Sequence, residues 1–459
     1  MNPFRDVVDE CGLVDLGFVG HKFTWRGRRA GGVVLERLDR AFASDSWLEN
    51  NPATRVQHIR AHSFDHNPII IKLEGILACR NKPFHFEQMW LKESRCGETV
   101  KEVWEAGSVV RSMPLVEQKI KECGTRLTEW SRHSFGSIRH QLEEKTKELI
   151  RAEWEVAGGS DTTAVRTVQM EVNELLDKES LMWQQRARSL FLKSGDRNTR
   201  YFHSRASHRY KQNRIYGLKN NNNEWCTSDS QVEEIVVRFY ESLFTSSQPS
   251  YMHVVLEAIE PKVSANMNQE LTKDFTREEV EVSLKHMEPL KAPSPDGMPP
   301  IFFQSFWSVV GDDVSFAMLD CLNNCYILHD LNHTYVTLIP KVKSPEFISE
   351  FRPISLCNVI YKLMSKVLAN RLKKVLPYLV SENQSAFQAG KVITDNILMA
   401  FETLHYMKHH QSGKTGFMAL KLDMSKAYDR VEWGFMEGLL QKMGFHEKWV
   451  ALMMMCITT

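Results

Sequence analysis

Residues 417–433, Phe417-Met418-Ala419-Leu420-Lys421-Leu422-Asp423-Met424-Ser425-Lys426-Ala427-Tyr428-Asp429-Arg430-Val431-Glu432-Trp433, constrain the fold more than any other stretch. From Phe417 to Leu422 every residue but Lys421 is apolar, the pattern of a strand covered on one face and nearly covered on the other. Asp423 ends this predicted strand, and a tight turn leads into a helix. A carboxylate at a strand end, on the rim of a sheet, is well placed to hold a hard cation such as Mg²⁺ beside a phosphate. At that spacing Tyr428, five residues on, would lie beside the space that the sugar of a bound nucleotide needs. Spacing alone fits equally an aspartate that caps a turn and a tyrosine packed in a core.

The 459 residues suffice for two or three domains with ordinary cores. With 25% charged residues and a net charge of +1, the whole chain advertises neither a nucleic-acid nor a membrane partner, so any such signal is local. Nine scattered cysteines, an odd number, make no disulfide framework and point to a reducing compartment. Cys321 and Cys325 stand one helical turn apart without further ligands at metal spacing. No run approaches the ~18 apolar residues of a membrane span. The start, Met1-Asn2-Pro3-Phe4-Arg5-Asp6, has no apolar signal core. The expectation is an intracellular protein without a membrane partner, nuclear or cytoplasmic being undecided.

Residues 1–75 alternate short apolar runs with turns, at 12–20, 23–25, 55–59 and 68–73, as the strands of an α/β sandwich do. Such a piece holds too few strands to close one. Asp65-His66, in a loop just ahead of a strand, pairs a carboxylate with an imidazole that it could orient towards a scissile phosphate. A surface loop explains the pair as well. From about 95 to 190 the pattern turns helical, with Ile120, Cys123, Leu127 and Trp130 on one face and Ile138, Leu142 and Leu149 on another. Gly158-Gly159-Ser160-Asp161 interrupts it, which predicts two long helices in a hairpin.

Between 186 and 214 stand Arg186, Arg188, Lys193, Arg197, Arg200, Arg205, Arg209, Lys211 and Arg214 against one acid, Asp196, with Tyr201, Phe202, His203 and Tyr210 interleaved. Guanidinium groups for phosphates and aromatic faces for bases suit an RNA partner, and a solvated basic flank is the alternative. Further on, Asn220 to Asn223 predicts a turn and Glu233 to Phe244 a helix. Thr276-Arg277-Glu278-Glu279 has capping-box spacing. A helix over 356–376 carries Lys362, Lys366, Arg371, Lys373 and Lys374 opposite an apolar face, a basic outer side that suits a nucleic-acid backbone or plain solvent.

Several blocks stand in a shared order: Lys291-Ala292-Pro293-Ser294-Pro295-Asp296-Gly297, Leu338-Ile339-Pro340-Lys341, Phe351-Arg352-Pro353-Ile354-Ser355-Leu356, Gln384-Ser385-Ala386-Phe387 and the Asp423 stretch. In this order and spacing they resemble the reverse transcriptases of LINE-type (non-LTR) retrotransposons, especially those of plant genomes. The resemblance implies RNA-directed DNA polymerase activity with an RNA template, a DNA primer, nucleotide triphosphates and Mg²⁺. It implies that Asp423 is a ligand of a two-metal centre, that the Met424 carbonyl faces the same metal, and that Tyr428 is the steric gate against a ribose 2′-hydroxyl. Lys391, after Gly390, stands where that family commonly has Arg, in the fingers near the incoming triphosphate. Lysine keeps the charge and loses the bidentate fork. Ser294 stands where a Gly is usual, a departure that would strain the turn if the backbone there needs glycine. Gly195 to His203 looks like the segment before the fingers, with RNA template contact as its implied role.

Glu36-Arg37-Leu38-Asp39-Arg40, Trp47 and Ser63-Phe64-Asp65-His66-Asn67-Pro68-Ile69 look like the last third of the endonuclease/exonuclease/phosphatase fold that precedes the polymerase in these elements. There a Ser-Asp-His triplet supplies the catalytic histidine and its aspartate partner. Phe64 replaces the usual Ser. The metal-binding Glu and Asp-x-Asn element of that fold have no counterpart in residues 1–75, so Asp65 and His66 read as relics without a metal.

The expected architecture is α/β and α+β multidomain. It comprises a partial endonuclease-like α/β sandwich (1–75), a mostly helical connector with the basic block (76–250) and a partial right-hand polymerase with fingers and an incomplete palm (251–459). Polymerase chemistry needs carboxylates from two strands. The Ala-Asp-Asp motif of that family is not reached by Thr459, so the expectation is a truncated, inactive reverse transcriptase. A non-catalytic RNA-binding remnant that uses the basic block is the alternative. Uncovered apolar surface at the palm edge favours aggregation.

Overall fold

The computed structural model describes residues 10–29, 32–44, 47, 51, 54–59, 65–73, 83–106, 111–157, 162–187, 213–342, 345–386, 388, 390–410 and 416–458, together with residues 4, 7, 8, 202, 205, 206 and 209. Helices and strands are mixed, with short sheets at the N-terminal end and helices dominating after residue 94. None of the helices described is long and apolar enough to cross a membrane.

Among the described residues of the N-terminal region, seven short strands pair. These are β1 (Leu13–Asp15), β2 (Val19–Gly20), β3 (Trp25–Arg29), β4 (Gly32–Glu36), β5 (Phe42–Ser44), β6 (Arg55–His58) and β7 (Ile69–Lys72). β1 pairs with β5, β3 with β4, and β6 lies between β2 and β7. Little is buried here: among the described residues before 74, the buried apolar side chains are Ala41, Ala43 and Val56. Ile70, Ile71 and Leu73 point to solvent. The core therefore contributes little, and polar ties hold the pieces together. Asp15 accepts from Arg37 at 3.0 Å and Arg40 at 3.1 Å, and buried Thr24 takes the Leu38 and Asp39 amides on its hydroxyl.

The main core runs from Phe86 to Cys456. Helix α1 (Ser94–Glu105) buries Cys96, Val100, Val103 and Trp104. Helix α2 (Met113–Trp130) buries Val116, Ile120, Cys123 and Leu127, the three- and four-residue steps read in the sequence. The long hairpin follows as α3 (Ile138–Ala157) and α4 (Thr163–Ala187), packed on each other. Next come β8 (Leu218–Lys219) and β9 (Trp225–Cys226), joined through the Asn220–Asn223 turn, and helix α5 (Asp229–Phe244). Helices α6 (Met252–Glu257), α7 (Ala265–Thr272), α8 (Arg277–Lys285), α9 (Pro300–Ser305) and α10 (Trp307–Asn323) lead to the antiparallel pair β10 (Tyr335–Pro340) and β11 (Phe351–Leu356). Then follow α11 (Val359–Leu379), α12 (Ile393–His409), α13 (Trp433–Lys442) and α14 (Glu447–Thr458). The predicted capping box at Thr276 forms, with Thr276 accepting from the Glu279 amide and the Glu279 carboxylate closing back on Thr276.

The Pro-rich block 291–297 seats this assembly. Gly297 has φ +74°, and a Cβ there would stand 2.1 Å from the Phe84 carbonyl oxygen, so only glycine lets 84–86 lie against the turn. The Phe86 amide donates to the Gly297 carbonyl at 3.0 Å. Ser294 does not strain the turn. Its φ is negative, and its buried hydroxyl donates to Asp296 at 2.5 Å while the Met298 amide donates to the same carboxylate at 3.0 Å. Helix α2 is tied in as well: buried Lys119 donates to the Trp104 carbonyl at 2.9 Å and to Asp313 of α10 at 2.8 Å.

Two expectations are corrected. Residues 416–424 form no strand: they are irregular, and no strand among the described residues pairs with them. An apolar hexamer becomes a strand only when a ladder partner takes its amides and carbonyls. The outer face of α11 is not uniformly basic either. Arg371 is 3% exposed, donates to both Glu279 carboxylate oxygens at 2.7 Å and to the carbonyls of Leu271, Lys273 and Asp274, and stacks 3.6 Å from the Phe275 ring centre. Lys362 is half-buried near Asp296, and burial pushes its ammonium pKa down. Lys373 and Lys374 do face solvent.

Candidate functional site

Asp423, Met424 and Tyr428 share one exposed segment. Leu422 is 81% exposed and Tyr428 82%, so the tyrosine packs in no core of the described residues. The turn that follows Asp423 is tied by the Asp429 amide donating to the Lys426 carbonyl at 3.0 Å, and it closes in a single helical turn at Tyr428–Arg430. Lys391 lies just ahead of α12, where its ammonium donates to the Glu382 carbonyl at 3.4 Å. Among the described residues no group of three or more His, Cys, Asp or Glu is gathered to hold a metal. Asp423 thus offers one carboxylate, and as arranged the described residues do not fit a two-metal centre, which needs carboxylates from a second strand. A cavity of 410 Å³ between α2 and the start of α11, lined by Phe84, Glu117, Asp296 and Asn358 among others, touches none of these site residues.

Of the basic block, Arg188, Arg197, Arg200, Tyr201 and Lys211 lie outside the described residues. Arg186 ends α4 and is engaged by Glu87 at 2.8 Å, which draws it into the fold. Arg205 is exposed, Arg209 is half-buried, and Arg214 sits 5.7 Å from the ring centre of Tyr216.

In the N-terminal region the histidine reading needs a different partner. His66 Nδ1 lies 2.8 Å from Asp39 Oδ2, across 27 residues, while the Asp65 carboxylate accepts the His66 backbone amide at 3.1 Å. The structure therefore corrects the adjacent pair Asp65-His66 to a long-range pair, Asp39 with His66. A carboxylate one residue away has its side chain on the other side of an extended backbone, whereas the loop after β4 brings Asp39 to the ring. Sequence reasoning quoted Asp39 within Glu36-Arg37-Leu38-Asp39-Arg40 but gave it no role. Burial raises the Asp39 carboxyl, yet hydrogen bonds from His66 and Thr24 outweigh it and hold the pKa below 3.8. Nearby, His58 stacks on Phe18 at 4.3 Å with its Nδ1 2.8 Å from the His21 carbonyl, and burial lowers its pKa from 6.5.

Residues 339–459 match the family described as reverse transcriptase (RNA-dependent DNA polymerase). Over 445 residues, 93% of the chain, the sequence is 23% identical to a protein of Xenopus laevis named transposon TX1 uncharacterized 149 kDa protein. The chain spans 33% of that protein's length. The matched region opens at the end of β10 and takes in β11, α11, α12 and the Asp423 segment, so it is this part of the chain that is similar to reverse transcriptases.

Proposed function

We propose that this chain supplies the fingers and the first palm segment of an RNA-directed DNA polymerase of the plant LINE type. The observation that carries the reading is the family match over 339–459, with Asp423 inside it. Reverse transcriptase domains act on a nucleic-acid template with nucleotide substrates and use divalent metal ions. The finer assignments are RNA as template, DNA as primer and Mg²⁺ as the ion. Asp423 is the metal-binding carboxylate, Met424 contributes its carbonyl beside it, Tyr428 is the sugar gate and Lys391 meets the triphosphate. The division into a nuclease-like remnant (1–75), a connector (76–250) and a polymerase segment (251–459) is part of the same proposal. Asp39 and His66 are assigned no step in polymerisation.

Primer extension on an RNA template with Mg²⁺ tests it, comparing the chain, its Asp423→Ala variant and a polypeptide extended through the downstream reading frame. The expected outcome is incorporation by the extended polypeptide that Asp423→Ala abolishes. Equal incorporation by Asp423→Ala would remove the central assignment. RNA retention that persists without Mg²⁺, with no incorporation by any form, would instead favour a non-catalytic RNA-binding protein using Arg186, Arg205, Arg209, Arg214 and the rest of the basic block.

A further inference from the structure

Between Asp423 and Arg430 most of the chain faces water. Asp423, Met424, Ser425, Tyr428 and Arg430 are exposed, whereas Lys426, Ala427 and Asp429 are half-buried. Lys426 is also one of four non-glycine residues with positive φ among those described, at +55°. A side chain held in that region costs free energy and persists where the surroundings impose it. Here the surroundings are visible. The Lys426 ammonium is 5.8 Å from the ring centres of both Phe239 and Tyr240 on α5 and 3.5 Å from the Phe351 carbonyl of β11.

We propose that Lys426 is the positioning residue of the Asp423–Tyr428 loop, pinning it to helix α5, which lies outside the family-matched region. The proposal rests on the polymerase reading only for the use the loop is put to; the pin itself stands on geometry. The lysine fits for chemical reasons. Its four-carbon stem crosses from the turn to α5, and its cation meets two aromatic faces and a carbonyl oxygen at once. Asp429, on the same turn, adds a negative charge close enough to raise the Tyr240 phenol beyond what burial does. The platform is firm, because Tyr240 and Phe351 belong to a core that also contains Leu218 and Ile348. Lys426 is three residues after Asp423 and two before Tyr428. Fixing it sets the direction of both side chains, so helix α5 acts as a brace for a site it does not line.

Hydrogen exchange of the 425–430 amides in the 459-residue chain tests the pin. Lys426→Met keeps the stem and drops the charge, Lys426→Gly relieves the backbone, and Lys426→Arg keeps a cation for the rings. Met and Gly variants should exchange about five- to tenfold faster in this loop, and Arg close to the parent. A double-mutant cycle of Lys426→Met with Tyr240→Leu should be non-additive, with melting temperatures as the control for folding. Unchanged exchange in Lys426→Met, slower exchange in Lys426→Gly, or strict additivity would overturn the proposal. Primer extension by the parent, the extended polypeptide and the Asp423→Ala variant of each separates the two readings. If no polypeptide incorporates nucleotides, the polymerase reading falls while exchange still decides the pin. If incorporation occurs, Lys426→Met must lower kcat at saturating nucleotide, and an unchanged kcat would refute positioning.

Discussion

Helices α11 and α12 follow each other, with 21 and 17 residues, yet α11 buries nine of its residues and α12 none. Both carry apolar side chains at helical spacing. In α11 these are Val359, Leu363, Val367 and Leu368, all within the main core. In α12 they are Ile393, Ile397, Leu398, Phe401 and Leu404, all exposed. Helix formation is a local decision, set by propensity and by a cap such as the Asp395 carboxylate accepting from the Val392 amide at 3.2 Å. Burial is a decision taken by partners. A helix apolar on several sides is the pattern of a buried helix, and the segment after it, 416–424, is uncovered in the same way.

The sharpest break of this comparison is Arg371→Met. The substitution leaves the Glu279 carboxylate and the carbonyls of Leu271, Lys273 and Asp274 without their donor in a site where the arginine was 3% exposed. Removing one partner of a buried ion pair costs about 3–5 kcal/mol, and the urea midpoint should fall accordingly with an unchanged m-value. Arg371→Lys should recover only part, because an ammonium cannot bridge a carboxylate bidentately and serve three carbonyls. A loss under about 1 kcal/mol would mean that α7 and α8 do not depend on this clamp.

Next in size is Gly297→Ala, expected to cost about 2–3 kcal/mol. Its Cβ meets the Phe84 carbonyl oxygen at 2.1 Å, and backbone is slow to yield. The same measurement on Gly390→Ala provides the contrast. Gly390 also has positive φ, at +78°, but none of the described residues comes within 4 Å of an added Cβ, so the conformational penalty of about 1 kcal/mol is what applies.

Acid titration separates regions by a smaller effect. Burial raises the Glu279 carboxyl, but its bonds to Arg371 and the Thr276 amide win and hold its pKa below 4.5. Its contribution is present above 4.5 and is lost as the pH falls through the folded-state value. His58 is depressed from 6.5, so the neutral ring is the folded form, and its contribution begins to fade already below 6.5. Near-UV signals from the N-terminal strands should therefore loosen at a higher pH than those of the α8–α11 clamp. His58→Phe should erase the early phase.

What the sequence disclosed divides along the same line. The α2 stripe, the α3–α4 hairpin, the Asn220 turn and the Thr276 cap were legible because each is set by neighbours within a few residues. Arg371 was misplaced, because periodicity on one helix says nothing of a carboxylate ninety-two positions away. Asp39 was overlooked for the same reason, its histidine being twenty-seven residues off. The strand at 417–422 was read from composition alone, and composition cannot supply a ladder partner.

The smallest stability effect carries the strongest statement about α12. Ile397→Glu and Phe401→Ser remove side chains that are 63% and 64% exposed, so the melting temperature should shift by no more than about 0.5 kcal/mol allows. Dye binding to exposed apolar surface should drop, and solubility should rise, because these side chains contribute to a patch of the kind that marks an interface or an aggregation site. If α12 packs in solution against part of the chain or against a second copy, the same substitutions cost several times more and the hydrodynamic radius changes with them. That outcome would place α12 beside α11 as a helix with a partner and erase the contrast between them.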